Sequence, residues 1–195
     1  MKRNCIVCGF LLCLVFMMPA PSWSAGDWTG NVNFTLGVKA LDDDDWEPVE
    51  DQVELGINVD FGRIEWPINI AIAIVGSRAE EHAVIQGINV DADGSTGELR
   101  FGVRKIWQPT QTMRPFLGGG LALISAELDG RALGLSVNDD DTGFGIWING
   151  GVYWTLGNSF NLGLEFGYSK GEVTLFDEDG DAGGGHAALL LGYHW

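Results

Sequence analysis

Ser169 and His186 are a nucleophile and a base whose types suit acyl transfer, and Glu165 lies one strand repeat from Ser169 as the carboxylate such a set needs. Arg100 and Arg104 stand against Glu54, Glu98 and Glu165, opposite charges that would have to pair if buried together. Two acidic segments imitate calcium loops. "DADGSTGE" offers Asp91, Asp93 and Ser95 at alternate positions, and "DEDGDAGG" offers Asp177, Asp179 and Asp181. An EF-hand needs Gly at its sixth position and Glu at its twelfth. Here those places hold Thr96 and Gly102 in the first segment and Ala182 and Ala188 in the second, so neither is an EF-hand. A loose calcium or magnesium site shared by several loops is the metal chemistry left open. No cofactor is otherwise expected.

The elements that carry these residues have a period of two. In "QVELGINVDF" one face is Val53, Leu55, Ile57, Val59 and Phe61, and the other is Gln52, Glu54, Gly56, Asn58 and Asp60. The same rhythm predicts eight strands, at about 28–40, 52–61, 67–76, 97–106, 114–126, 143–156, 160–170 and 185–195. The links after the second, fourth and sixth strands are short. Those after the first, third, fifth and seventh are longer and mostly acidic, carrying "LDDDDWEPVED", "SVNDDDTG" and "FDEDGDAGGG". An even strand count with short turns at one end and longer loops at the other fits an antiparallel up-and-down transmembrane β-barrel. Ten-residue strands tilted about 45° span roughly the 25 Å apolar band.

Alternation alone does not say which face points outward. A soluble eight-stranded barrel would turn the apolar face into its cavity. Three features favour the membrane: aromatics near strand ends (Trp28, Trp66, Trp107, Trp154, Phe160, Trp195), the unequal loop lengths, and a last strand "GGHAALLLGYHW" ending on Trp195. With the apolar face outside, Lys39, Glu54, Asn58, Asp60, Asn69, Glu98, Arg100, Arg104, Asn149, Tyr153, Glu165, Ser169 and His186 point inward. Eight strands enclose just enough room for side chains, so these charges read first as a lumen salt-bridge network.

Residues 1–24 have the layout of a cleavable export signal: Lys2 and Arg3, an apolar stretch from Cys5 to Met18, then small residues. Fourteen apolar residues at about 1.5 Å rise fall short of a roughly 30 Å hydrocarbon core. Ser22 and Ser24 place the cut after Ser24, leaving residues 25–195 as the barrel domain, and a cut one residue later stays open. All three cysteines, Cys5, Cys8 and Cys13, lie in the removed segment. The mature chain then has no thiol, which excludes disulfides, thiolate metal sites and cysteine nucleophiles. Removing Lys2 and Arg3 leaves nine basic against 27 acidic residues, a formal charge of −18. Nucleic acid is excluded as a partner on that charge.

The terminal strand, with "RPFLGGGLALI" at 114–124, resembles the small eight-stranded outer-membrane barrels grouped around outer-membrane proteins A, X and W. The resemblance covers residues 25–195 as architecture and is specific in sequence only at that strand. It implies that Leu189, Leu191, Tyr193 and Trp195 form the segment read by the barrel-assembly machinery. No appended peptidoglycan-binding domain of the protein A type is expected. Some such barrels modify lipid A acyl chains, which gives the Ser169 and His186 pair its enzymatic alternative. The expected protein is a monomer in the outer membrane of a Gram-negative bacterium, surrounded by its lipids and lipopolysaccharide. It has a filled lumen and acidic outer loops, serves a structural or surface-interaction role and is not an enzyme. The alternatives are a narrow channel for small cations and a lipid A acyl-modifying enzyme.

Overall fold

The computed structural model describes residues 27–195 apart from 86, 87, 133, 134, 158 and 177, with side chains also left aside at 43, 44, 83–85, 88–90, 131, 132, 135 and 136. The predicted export signal lies outside the described residues. Eight long strands close an antiparallel barrel: β1 (Trp28–Ala40), β2 (Asp51–Arg63), β3 (Asn69–Ile85), β4 (Ile88–Ile106), β5 (Met113–Ala132), β6 (Leu135–Leu156), β7 (Phe160–Leu175) and β9 (Gly184–His194). A one-turn helix α1 (Asp43–Trp46) interrupts the β1–β2 link, and a four-residue strand β8 (Glu178–Asp181) folds back on β7. The ring closes where β9 pairs with both β7 and β1.

Following ladder partners from Ala40 through Gly185, Tyr168, Ile148, Gly119, Val103, Ile70 and Phe61 leads back to β1 at Gly30, ten residues lower. That stagger tilts the strands steeply, as closure of an eight-stranded sheet requires. It also means that residues at one height are not ladder partners. A level ring slips a little over one residue per strand.

The apolar face is outside. Phe34, Leu36, Ile74, Phe101, Leu121, Ile146, Phe166 and Leu189 are all exposed, while the alternate residues are buried. A water-soluble barrel would reverse this, so the polarity defines a membrane-facing exterior. The six aromatics singled out in the sequence gather at the end of the short turns 64–68, 107–112 and 157–159. There Trp28 stacks edge-on against Trp66 at 5.6 Å and lies beneath the Arg63 guanidinium at 5.8 Å.

The expected boundaries fail at the other end. β3, β4, β5 and β6 continue well past the apolar belt and pair to their tips, at Ile85 with Ile88 and Ala132 with Leu135. "DADGSTGE" and "SVNDDDTG" are therefore strand, not loop. The cause is water in place of lipid on the outward face above the membrane: nothing there imposes apolar residues, although Ala79, Ala92 and Leu128 still pack inward against the core. The β1–β2 link also departs from the expected acidic loop. Leu41, Trp46 and Val49 turn inward and pack with Ile124, Ala126, Val173 and Ala182, forming an apolar cap over the mouth.

Candidate functional site: the barrel lumen

Two clusters of buried polar side chains occupy the interior. In the outer one, Lys39 on β1 donates from Nζ to Glu98 Oε1, Thr96 Oγ1 and the Ala182 carbonyl, each at 2.8 Å. Arg100 Nε donates to the second Glu98 oxygen at 2.7 Å. Glu54 accepts a close hydrogen bond from His186 Nδ1. Ser77 completes the ring, donating to Gln52 Oε1 at 2.6 Å and touching Thr96 Oγ1 at 2.7 Å.

The inner cluster centres on Arg104, whose guanidinium reaches Asp60 at 3.4 Å and Glu165 at 3.3 Å. Asp60 Oδ1 also accepts from Asn31 and Asn69, both at 2.8 Å. Asn161 donates to Asn31 and Asn33, and Thr155 links Asn161 to Arg114. The guanidinium plane of Arg104 lies 4.6 Å from the Phe116 ring, a cation–π contact in a desolvated setting. The five lumen residues anticipated from sequence thus divide: Glu54, Glu98 and Arg100 meet near the outer end, Arg104 and Glu165 deeper. His186, Lys39 and Asp60 are the partners that join them. Their inward parity was visible in the sequence, but which charges share a height depends on the stagger.

Ser169 and His186 do meet. Ser169 Oγ is 2.9 Å from His186 Nε2, and the carboxylate on His186 Nδ1 belongs to Glu54. Glu165, the expected third member, instead pairs with Arg104 one level down. Neighbouring charged groups engage the same atoms. Arg100 Nη2, which can only donate, lies 2.9 Å from the same His186 Nε2. With Nδ1–H directed at Glu54, that lone pair is already engaged by a cation and is a poor acceptor for a serine proton. Ser169 also donates to Glu98 Oε1 at 2.8 Å and is wholly buried, beyond reach of an acyl chain in the surrounding lipid.

The acidic residues at the outer end serve as backbone acceptors. Asp139 and Asp141 on β6 accept from the N–H groups of Phe176 and Thr174 at 2.6 and 2.7 Å, where the β6–β7 ladder has ended. Asp181 accepts from Gly171 and Gly183, Asp45 from Asp181, and Asp179 from the Thr174 hydroxyl. Trp46 Nε1 donates to the Asp181 carbonyl at 2.8 Å, tying the cap to β8. Asp91 pairs with His82 at 2.8 Å, and Asp93 with Arg78. Among the described residues, no group of three or more His, Cys, Asp or Glu side chains is arranged to hold a metal ion. Asp177 lies outside the described residues.

The terminal strand is fastened to the first. Trp195 N and O exchange hydrogen bonds with Gly30, at 3.1 and 3.3 Å, and Thr29 Oγ1 donates to the same carbonyl at 3.0 Å. The indole lies over Gly30, where a β-carbon would come within 2.8 Å of Cη2. Leu189, Leu191 and Tyr193 face outward beside it.

This fold and polarity define the class: a small, eight-stranded, antiparallel transmembrane β-barrel of the outer-membrane type. Solved structures of similar shape include outer-membrane proteins. The attachment invasion locus protein Ail of Yersinia pestis, solved with the heparin analogue sucrose octasulfate, is 12% identical, with 87% of this chain and 98% of that one aligned and a TM-score of 0.55. Neisserial surface protein A is 12% identical over 85% of this chain and 96% of its own, at 0.50. A major outer membrane protein of Thermus thermophilus is 8% identical over 86% and 99%, also at 0.50. Identities this low show a shared fold. No family model matches the sequence, and no curated protein matches it significantly.

Proposed function

We propose that this chain is an outer-membrane barrel that offers a surface rather than a passage. The supporting observation is the lumen: two ion-paired clusters under a cap of Leu41, Trp46 and Val49, with Lys39, Glu98, Arg100, Arg104 and Asp60 all at most 3% exposed. Charges so completely buried are stable only while paired, and separating them to admit an ion or solute would strand each partner. Proteoliposomes carrying the folded protein should therefore show no swelling with small sugars. Swelling would support the narrow-channel alternative. Lipid A that is altered in mass when the protein is produced would support the acyl-modifying one.

The surface on offer is the four-stranded sheet formed by the outer parts of β3 to β6. Residues 77–96 and 125–142 hold nine acidic residues against Arg78 and Arg131. Ail, of similar fold, was solved with a polysulfated sugar. The charge here opposes such a ligand and suits a basic protein surface. Immobilised poly-lysine should retain the detergent-solubilised protein at low salt and release it as ionic strength rises. Changing Asp139, Asp140 and Asp141 to Asn should weaken retention. In this reading the protein is exported by its N-terminal signal and inserted by the barrel-assembly machinery. It then stands as a monomer among outer-membrane lipids and lipopolysaccharide, with divalent cations held only weakly at its acidic rim.

A further inference from the structure

At the inner cluster the lumen wall carries polar atoms that no protein group satisfies, among them Asn33 Nδ2, Asn58 Nδ2 and Oδ1, Arg104 Nε and Asn149 Oδ1. All four residues are at most 3% exposed. They come from β1, β2, β4 and β6, yet the ten-residue stagger brings them to nearly one height. Asn33 and Asn58 are cross-strand neighbours, and Asn58 is two residues from Asp60, which Arg104 reaches across the lumen. Asn149 is opposite Gly118, itself the ladder partner of Arg104; a β-carbon at Gly118 would come within 2.8 Å of Asn149 Oδ1.

Protein interiors satisfy nearly all such groups. Three of these atoms donate and two accept. A cation would meet the donors and Arg104; an anion would meet the carbonyls, Asp60 and Glu165. A small neutral molecule that donates and accepts satisfies both kinds. We infer that this layer is a water-binding site, holding about two ordered molecules at roughly three hydrogen bonds each, which bridge Asn33, Asn58, Arg104 and Asn149. The ion pairs of the outer cluster separate it from the external solution and the Asn161–Thr155–Arg114 chain from the other side, so its water exchanges only when the interior opens.

The test replaces Asn58 by Leu, of similar size, in the full chain refolded into detergent. Removing two unsatisfied atoms from a dry lumen would raise Tm. Removing two ligands of bound water lowers it, by about 2–6 °C for a domain of this size. Wild-type protein in nanodiscs gives the second measurement: rotating-frame cross-relaxation between water and the side-chain amide protons of Asn33 and Asn58. Cross-peaks at both, with a lowered Tm in the variant, are expected. Their absence overturns the inference whatever Tm does, and a raised Tm overturns it as well. If the variant does not fold, the cross-peaks alone decide.

Discussion

Lys39 Nζ and Glu98 Oε1 meet 2.8 Å apart inside the barrel, with both side chains about 1% exposed, although 59 residues separate them in the chain. Replacing Lys39 by Met leaves Glu98 with Arg100 and the Ser169 hydroxyl and removes a donor from Thr96 and Ala182. Breaking one side of a buried pair costs about 3–5 kcal/mol. The double variant Lys39→Met, Glu98→Gln should recover part of that loss. Reversible urea unfolding in detergent of wild type, both singles and the double would give the coupling energy, and additive losses would contradict the pairing.

Trp46 closes the mouth with 3% of its surface exposed, packing in the apolar cap and donating to the Asp181 carbonyl. Trp46→Ala removes both the packing and the bond, at about 3–5 kcal/mol for a buried aromatic. Local opening of residues 41–50 should follow before the wall itself is affected. Hydrogen exchange resolved to that segment should accelerate strongly in the variant while the belt of β5 and β6 stays protected.

Asp141 joins β6 to β7 above the membrane, where the N–H groups of Thr174 and Thr142 hold its carboxyl below the ordinary aspartate value. A carboxyl whose folded value is depressed contributes its stabilisation above the unfolded value of about 3.9 and loses it as pH falls through the folded one. Protection of the Thr174 amide should therefore be steady from pH 7 to about 5 and decline below about 4. Asp141→Asn should have less protection at neutral pH and no such decline. Protection that increases on acidification would contradict the assignment.

Trp195 covers Gly30 so closely that a side chain there would collide with it. Deleting Trp195, or changing Gly30 to Val, should lower the fraction of chain that reaches the folded, heat-modifiable form, while synthesis and export proceed. Equal folded fractions in wild type and both variants would contradict a role for this strand junction in assembly.

Within the membrane the architecture was legible because lipid on one side and packed polar groups on the other force strict alternation, as Phe34, Leu36 and Val38 against Thr35 and Lys39 illustrate. Above the belt that signal vanishes. Arg78, Glu80, Asp91 and Asp93 are strand residues in a sequence that reads as loop, because their outward face meets water instead of lipid. The cap was hidden for a related reason: Trp46 and Val49 are two apolar residues in the acidic run "LDDDDWEPVED". The lumen charges were identifiable by parity, but their partners were not. Glu54 rather than Glu165 meets His186 because the ten-residue stagger sets heights that strand order alone does not reveal.

Planar-bilayer recording of the purified, folded protein in symmetric molar potassium chloride tests the central claim most directly. With Lys39, Glu98, Arg100, Arg104 and Asp60 paired across the interior and the mouth capped, the bilayer should stay at baseline current apart from rare, brief events. Lys39→Met combined with Trp46→Ala should make such openings more frequent. Steady, long-lived conductance steps from the wild type would contradict a filled lumen and establish a channel.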